Sequence, residues 1–135
     1  MEQSEEPGQV RKTIFIVDDE PAVLSCVAEL LADNAYRILT CPSGEEAMRQ
    51  SRAYKGEIHL LLSDFQMPGM SGVELATAMT ADRPLLKVLL MSGFPEGMLV
   101  LNEGWHFLAK PFIASQLRAL VAGLARPDGP SKFLD

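Results

Sequence analysis

Four short runs of nearly unbroken apolar residues each end on a polar side chain, and this pattern constrains the fold more than any other feature. Ile14-Phe15-Ile16-Val17 leads into Asp18-Asp19, and Leu60-Leu61-Leu62 leads into Ser63-Asp64. Residues 88–91 deliver Ser92, and residues 105–109 deliver Lys110, which Pro111 follows. Short apolar runs without polar alternation read as strands covered on both faces, the habit of parallel sheets. In an open parallel α/β sheet every strand C-terminus points to one edge, and sites form in the crevice there. The pattern therefore gathers Asp18, Asp19, Asp64, Ser92 and Lys110 at one rim, a set suited to magnesium-assisted phosphoryl chemistry.

Between these runs the chain alternates strand and helix signals. Strands are expected over 13–18, 36–41, 58–63, 86–91 and 105–109. A first helix over 21–33 opens on Pro21 and carries Val23, Leu24, Val27, Leu30 and Leu31 at helical spacing. The second and third helices each open on a capping box, Ser43-x-x-Glu46 and Ser71-x-x-Glu74. A fourth is expected somewhere in 95–102. A fifth, over 113–125, has the stripe Ile113, Leu117, Leu120, Val121, Leu124. Repeated βα units with short connections imply an α/β fold, a doubly wound five-stranded parallel sheet with helices on both faces.

At 135 residues the chain supports one domain, expected over 12–126. Residues 1–11 read as a polar, disordered leader and 127–135 as a flexible tail or linker stub. No apolar stretch reaches the ~18 residues of a membrane span, and the leader has no apolar h-region, so a cytoplasmic location is expected. The formal charge of −6, with no long Lys/Arg run, argues against direct nucleic-acid binding. Cys26 and Cys41 lack metal-ligand spacing and are expected to be buried free thiols. His59 and His106 read as core or edge residues, and Trp105 with 98–101 as core or a partner surface.

Two readings compete for Asp18-Asp19-Glu20. Acidic residues before a helix favour its macrodipole and cap it. Asp64 needs no such role at the end of a central strand, and crowded carboxylates raise one another's pKa. A hard divalent cation resolves that crowding, and Mg²⁺ takes carboxylates, waters and a phosphate oxygen. Lys110 at the same edge balances the acids and can pair with a phosphoryl oxygen. The Lys110-Pro111 bond is a candidate cis peptide, a form only X-Pro bonds adopt cheaply. Gly93 after Ser92 would let the backbone approach a ligand closely.

The chain resembles the CheY-like receiver domains of bacterial two-component response regulators. The matching pieces are Ile16-Val17-Asp18-Asp19-Glu20, the run from Leu62-Ser63-Asp64-Phe65-Gln66-Met67-Pro68 to Gly72, Met91-Ser92-Gly93, and Phe107-Leu108-Ala109-Lys110-Pro111-Phe112. The Asp64-to-Gly72 stretch and the Ser-Gly-Phe after the fourth strand look most like receivers of hybrid sensor histidine kinases. The resemblance implies a flavodoxin-like strand order 2-1-3-4-5 and a module that is not a classical enzyme. It implies Asp64 as phosphoacceptor, with Mg²⁺ held directly by Asp19, Asp64 and the backbone carbonyl of Gln66, and by Asp18 through water. Ser92 and Lys110 would contact the phosphoryl oxygens, and Ser92 with Phe107 would form the switch.

A sensor histidine kinase would supply the phosphoryl group from a phosphohistidine, and an unidentified downstream protein would read the result. The segment from Ser92 to Lys110 is about four residues shorter than is usual in the family, roughly one helical turn. The shortening falls on the fourth helix. That helix, the fifth strand and the fifth helix form the surface expected for output or a homodimer. Phe94 is expected to shield the acyl phosphate from water, and Gln66 to orient that water. A pseudo-receiver that is never phosphorylated remains the alternative. An aspartyl-phosphate phosphatase would want a second acid where this chain has Gln66, and a P-loop nucleotidase would need a Gly-x-x-x-x-Gly-Lys motif that is missing.

Overall fold

A computed structural model describes residues 11–33, 35–93 and 105–125. In chain order the elements are β1 (Lys12–Val17), α1 (Pro21–Leu30), β2 (Tyr36–Cys41), α2 (Gly44–Ala53), β3 (Leu60–Asp64), α3 (Gly72–Asp82), β4 (Lys87–Ser92), β5 (Trp105–Ala109) and α4 (Ala114–Leu124). The strands form one sheet, β2-β1-β3-β4-β5, with every neighbouring pair parallel. This is the expected doubly wound order. The helix expected over 95–102, together with Phe94, lies outside the described residues, so α4 corresponds to the fifth helix of the sequence pattern.

The uninterrupted apolar runs have a direct physical cause. Successive strand residues point to opposite faces of a sheet, and here both faces are covered. Phe15, Val17, Leu61, Val88, Leu90 and Trp105 pack with Ala47 and Met48 of α2 and Leu75, Ala76 and Met79 of α3. Ile14, Ile16, Leu60, Leu62, Leu89 and Met91 pack with Val27 and Leu31 at α1 and Leu117 and Val121 of α4. Each such side chain contributes about 1.5–3 kcal/mol when fully buried. Trp105 belongs to this core.

Several local expectations change. Ser71 and Glu74 form the full reciprocal capping box of α3. At α2 only half of the box exists: Ser43 accepts the Glu46 N–H, while the Glu46 carboxylate turns along the helix to Arg49 and Gln50. Two basic or amide donors one turn away outcompete a single backbone N–H. Ile113 does not join the buried stripe of the last helix; it is that helix's N-cap and is exposed. α1 stops at Leu30 rather than 33. Cys41 is buried and its thiol is pushed up to about 11 by burial and by the Glu46 charge, but Cys26 is exposed. His106 is exposed on edge strand β5. His59 precedes β3, where its Nδ1 accepts the Thr13 N–H at 3.0 Å, and burial pulls its pKa down.

Two arginines fasten helices at their C-terminal ends, where carbonyls lack intrahelical partners. Arg83, the C-cap residue of α3, donates to the carbonyls of Ser51 (2.9 Å), Tyr54 (3.0 Å) and Gly56 (2.9 Å) and to Ser51 Oγ (3.3 Å). Arg118 of α4 donates to the Leu30 carbonyl at the end of α1 at 3.1 Å. The Arg83 fork fits several carbonyls at once, which an ammonium cannot do. Arg83→Ala is expected to lower unfolding free energy by about 2–3 kcal/mol, and Arg83→Lys to recover less than half of that loss. Denaturant unfolding of the three proteins checks both.

Candidate functional site

The C-terminal ends of β1, β3, β4 and β5 lie side by side at one edge of the sheet, next to the reversal of strand order at β1 and β3. Asp64 and Ser92 are the last residues of β3 and β4; Asp18 and Lys110 are the first beyond β1 and β5. The register places Asp64 opposite Met91 and Ser92 opposite Ala109. A recess of about 390 Å³ at this rim is lined by Asp19, Asp64, Gln66, Ser92 and Lys110, among others. The residues that the sequence pattern singled out thus converge in space, with Phe107 two residues further down β5 than Ala109.

Lys110 Nζ donates to Asp64 Oδ1 at 2.7 Å and lies 3.8 Å from Asp18 Oδ2. The lysine main chain is fixed by its N–H on the Ser92 carbonyl at 2.7 Å, and the Lys110-Pro111 bond is cis, as expected. Burial pulls the lysine pKa down, but the hydrogen bond and charge of Asp64, with Asp18 and Glu20 behind it, outweigh burial and hold it above the ordinary value.

Asp18 is 1% exposed. Its Oδ1 accepts the Glu20 N–H at 2.9 Å, so it braces the turn into α1 rather than capping the helix. Glu20 is the N-cap residue, with no side-chain capping bond. Asp18 Oδ2 is buried and has no hydrogen-bond partner among the described residues. Desolvation raises the Asp18 pKa, and the charges of Asp64 and Asp19 add to it. The Glu20 N–H and Lys110 only partly oppose this.

One oxygen from each of Asp18, Asp19 and Asp64 lies within 4.8 Å of the others. Three carboxylates against one ammonium leave two negative charges at the rim. Hard oxygen donors, a buried oxygen with no donor, and uncompensated negative charge fit a hard divalent cation. The donor set suits such an ion better than it suits the protein alone.

Glycine and glutamate residues without an assigned role hold the rim in shape. Gly72 opens α3 against the end of β3: a Cβ there would lie 2.1 Å from the Asp64 carbonyl oxygen. Its N–H donates to the Phe65 carbonyl at 3.0 Å. Gly69 has φ 77°, and beside it the Met70 N–H donates to Glu45 Oε2 at 3.2 Å. The only sequence signal for these was glycine in a turn after β3. At Gly93, by contrast, an added Cβ would meet nothing within 4 Å among the described residues.

This fold, with an acidic rim facing a lysine, is that of a signal-receiving module. Residues 14–122 match the response regulator receiver domain family, and the chain belongs to it. Over 113 residues it is 31% identical to the sensor kinase CckA of Brucella abortus, covering 81% of this chain and 12% of that protein. Over 121 residues it is 25% identical to the alkaline phosphatase synthesis transcriptional regulatory protein PhoP of Bacillus subtilis, covering 87% of this chain and 50% of that protein. The chain thus spans half or less of these curated relatives.

Among solved structures, the receiver domain of the hybrid histidine kinase CckA superposes with a TM-score of 0.74 at 32% identity, covering 84% of this chain and 99% of that one. The response regulator TrrA of Thermotoga maritima, solved in complex with Mg²⁺ and beryllofluoride, gives 0.72 at 29% identity, covering 84% and 98%. Receiver domains are signalling modules rather than classical enzymes; they accept phosphoryl groups from histidine kinases and bind Mg²⁺ at an acidic pocket. No described helix is long and apolar enough to cross a membrane.

Asp18→Asn is expected to stabilise the ion-free protein at neutral pH by about 0.5–2 kcal/mol, because an amide removes the buried charge and keeps the Glu20 bond. The folded Asp18 pKa lies above its unfolded value, so the native state binds the proton more tightly. The penalty is present at neutral pH and is relieved as pH falls through the folded pKa toward about 3.8. Thermal melts of both proteins from neutral to acid pH should therefore converge.

Proposed function

We propose that this chain is a phosphoacceptor: Asp64 takes a phosphoryl group from the phosphohistidine of a partner histidine kinase, and the change alters the protein's contact surface. The observation that carries this reading is the 2.7 Å bond from Lys110 to Asp64 inside a ring of carboxylates. A structural ion pair would not need Asp18 and Asp19 crowded against it.

In the transfer, an Asp64 carboxylate oxygen attacks phosphorus while the bond from phosphorus to the donor imidazole nitrogen breaks, its electron pair leaving with the imidazole. The product is an acyl phosphate. A carboxylate is a weak nucleophile, so rate comes from in-line placement and from stabilising charge on the phosphoryl oxygens. Lys110 moves from the carboxylate to a phosphoryl oxygen, and Ser92 donates a hydrogen bond. Asp19, Asp64 and the backbone carbonyl of Gln66 would hold Mg²⁺ directly and Asp18 through water, and the bound ion supplies neutralisation of the phosphoryl charge.

The added charge of roughly −1.5 to −2 beside Ser92 biases the switch formed by Ser92 and Phe107. The proposed receiver unit spans 12–126, and its proposed location is the cytoplasm. Output passes through protein contacts on the β5–α4 face, which a homodimer could share; the rest of that face lies outside the described residues. The pseudo-receiver alternative retains no use for the acid crowding.

Incubation with acetyl phosphate and Mg²⁺ is expected to add about 80 Da to the intact mass, and Asp64→Asn to abolish the adduct. An unmodified wild type in the presence of Mg²⁺ favours the pseudo-receiver. Removing Mg²⁺ with a chelator should slow modification at least tenfold, about 1.4 kcal/mol of transition-state stabilisation.

A further inference from the structure

Two side-chain bridges join the ends of β3 and β5 across the intervening β4. One is polar, from Lys110 Nζ to Asp64 Oδ1 at 2.7 Å. The other is aromatic: the Phe65 and Phe107 rings meet edge to face, with centroids 6.2 Å apart and planes at 90°. Phe65 directly follows Asp64, and Phe107 lies on the strand that delivers Lys110, so each strand end supplies one member to both bridges.

The two ends of the aromatic bridge are anchored differently. The Phe65 main chain is held on both sides, its N–H donating to the Met91 carbonyl at 2.7 Å and its carbonyl accepting from Gly72 N–H at 3.0 Å. The Gly72 backbone is pressed so closely on Asp64 that this turn cannot shift without moving α3. Phe107 pairs with Leu90 in the ladder, packs half-buried against the α2–α3 core, and has no hydroxyl with which to bond a carbonyl or water. Its ring is held by packing, and the contact with the Phe65 ring is part of that packing.

We infer that Phe65 is a positioning residue that couples the Asp64–Lys110 pair to Phe107. While Lys110 is bonded to the free carboxylate, the edge-to-face contact holds Phe107 in place. When Lys110 shifts toward a phosphoryl group on Asp64, its side chain no longer ties β5 to the carboxylate, and the side-chain packing at that end of the strand is released. Phe65 cannot follow, so the displacement is taken up at the ring contact. The inference rests on the phosphoacceptor reading and adds the residue through which the change crosses β4.

A double-mutant cycle on the full chain tests it, with Phe65→Leu and Phe107→Leu and calorimetric titration of beryllofluoride in the presence of Mg²⁺. Coupling predicts that the affinity of the double variant departs from the product of the single effects by about twofold or more, the scale set by one aromatic pair. A smaller departure overturns the coupling while leaving the phosphoacceptor reading intact. A wild type that binds no beryllofluoride overturns that reading, and the inference with it.

A second readout needs no substitution. In unsubstituted protein with labelled phenylalanines, the Phe65–Phe107 ring-to-ring NOE should be present without ligand and weaken by about half or more with Mg²⁺ and beryllofluoride. An unchanged NOE overturns the inference.

Discussion

The bond between Lys110 and Asp64 is the constraint on which the rest of the rim depends. Without an ammonium among them, Asp18, Asp19 and Asp64 would face one another at less than 5 Å with nothing to offset their repulsion. Lys110 offsets only part of it: Asp18 Oδ2 has no hydrogen-bond partner among the described residues, and burial first, then the charges of Asp64 and Asp19, push the Asp18 pKa up. The ion-free rim therefore carries uncompensated negative charge, which a bound cation would relieve.

That rim exists because a featureless apolar interior supports it. The strands ending at Asp18, Asp64 and Ser92 are buried almost throughout, so their ends are set by core packing rather than by loops. Gly72 extends this control one step further: by letting α3 sit against the Asp64 carbonyl, it fixes the turn that carries Phe65 and Gln66. Polar chemistry stays flexible at the side-chain level while its backbone does not.

Much of this was legible in the residues themselves. Period and length distinguished strands from helices because β1, β3 and β4 are buried on both faces, and the four polar run-ends pointed to one edge of the sheet. The features that escaped are those in which one residue answers to partners far away in the chain. Arg83 reads as an ordinary charged residue before Pro84, yet its partners lie roughly thirty positions earlier. Glu46 matched a capping motif, but the motif does not say that Arg49 and Gln50 compete for the same carboxylate. Ile113 matched the helical stripe, and only the start of α4 at Ala114 puts it outside the packed face. Cys26 likewise sits on the exposed side of a helix whose phase the apolar pattern fixed only approximately.

Arg83 and Arg118 seize helix ends, the first binding α3 to α2 and the second binding α4 to α1. Each layer of helices is thereby clasped to itself by a guanidinium, independently of the sheet between them. The molecule resembles a clamped lever: among the described residues, motion of α3 past α2 or of α4 past α1 must first break a guanidinium bond at a helix end.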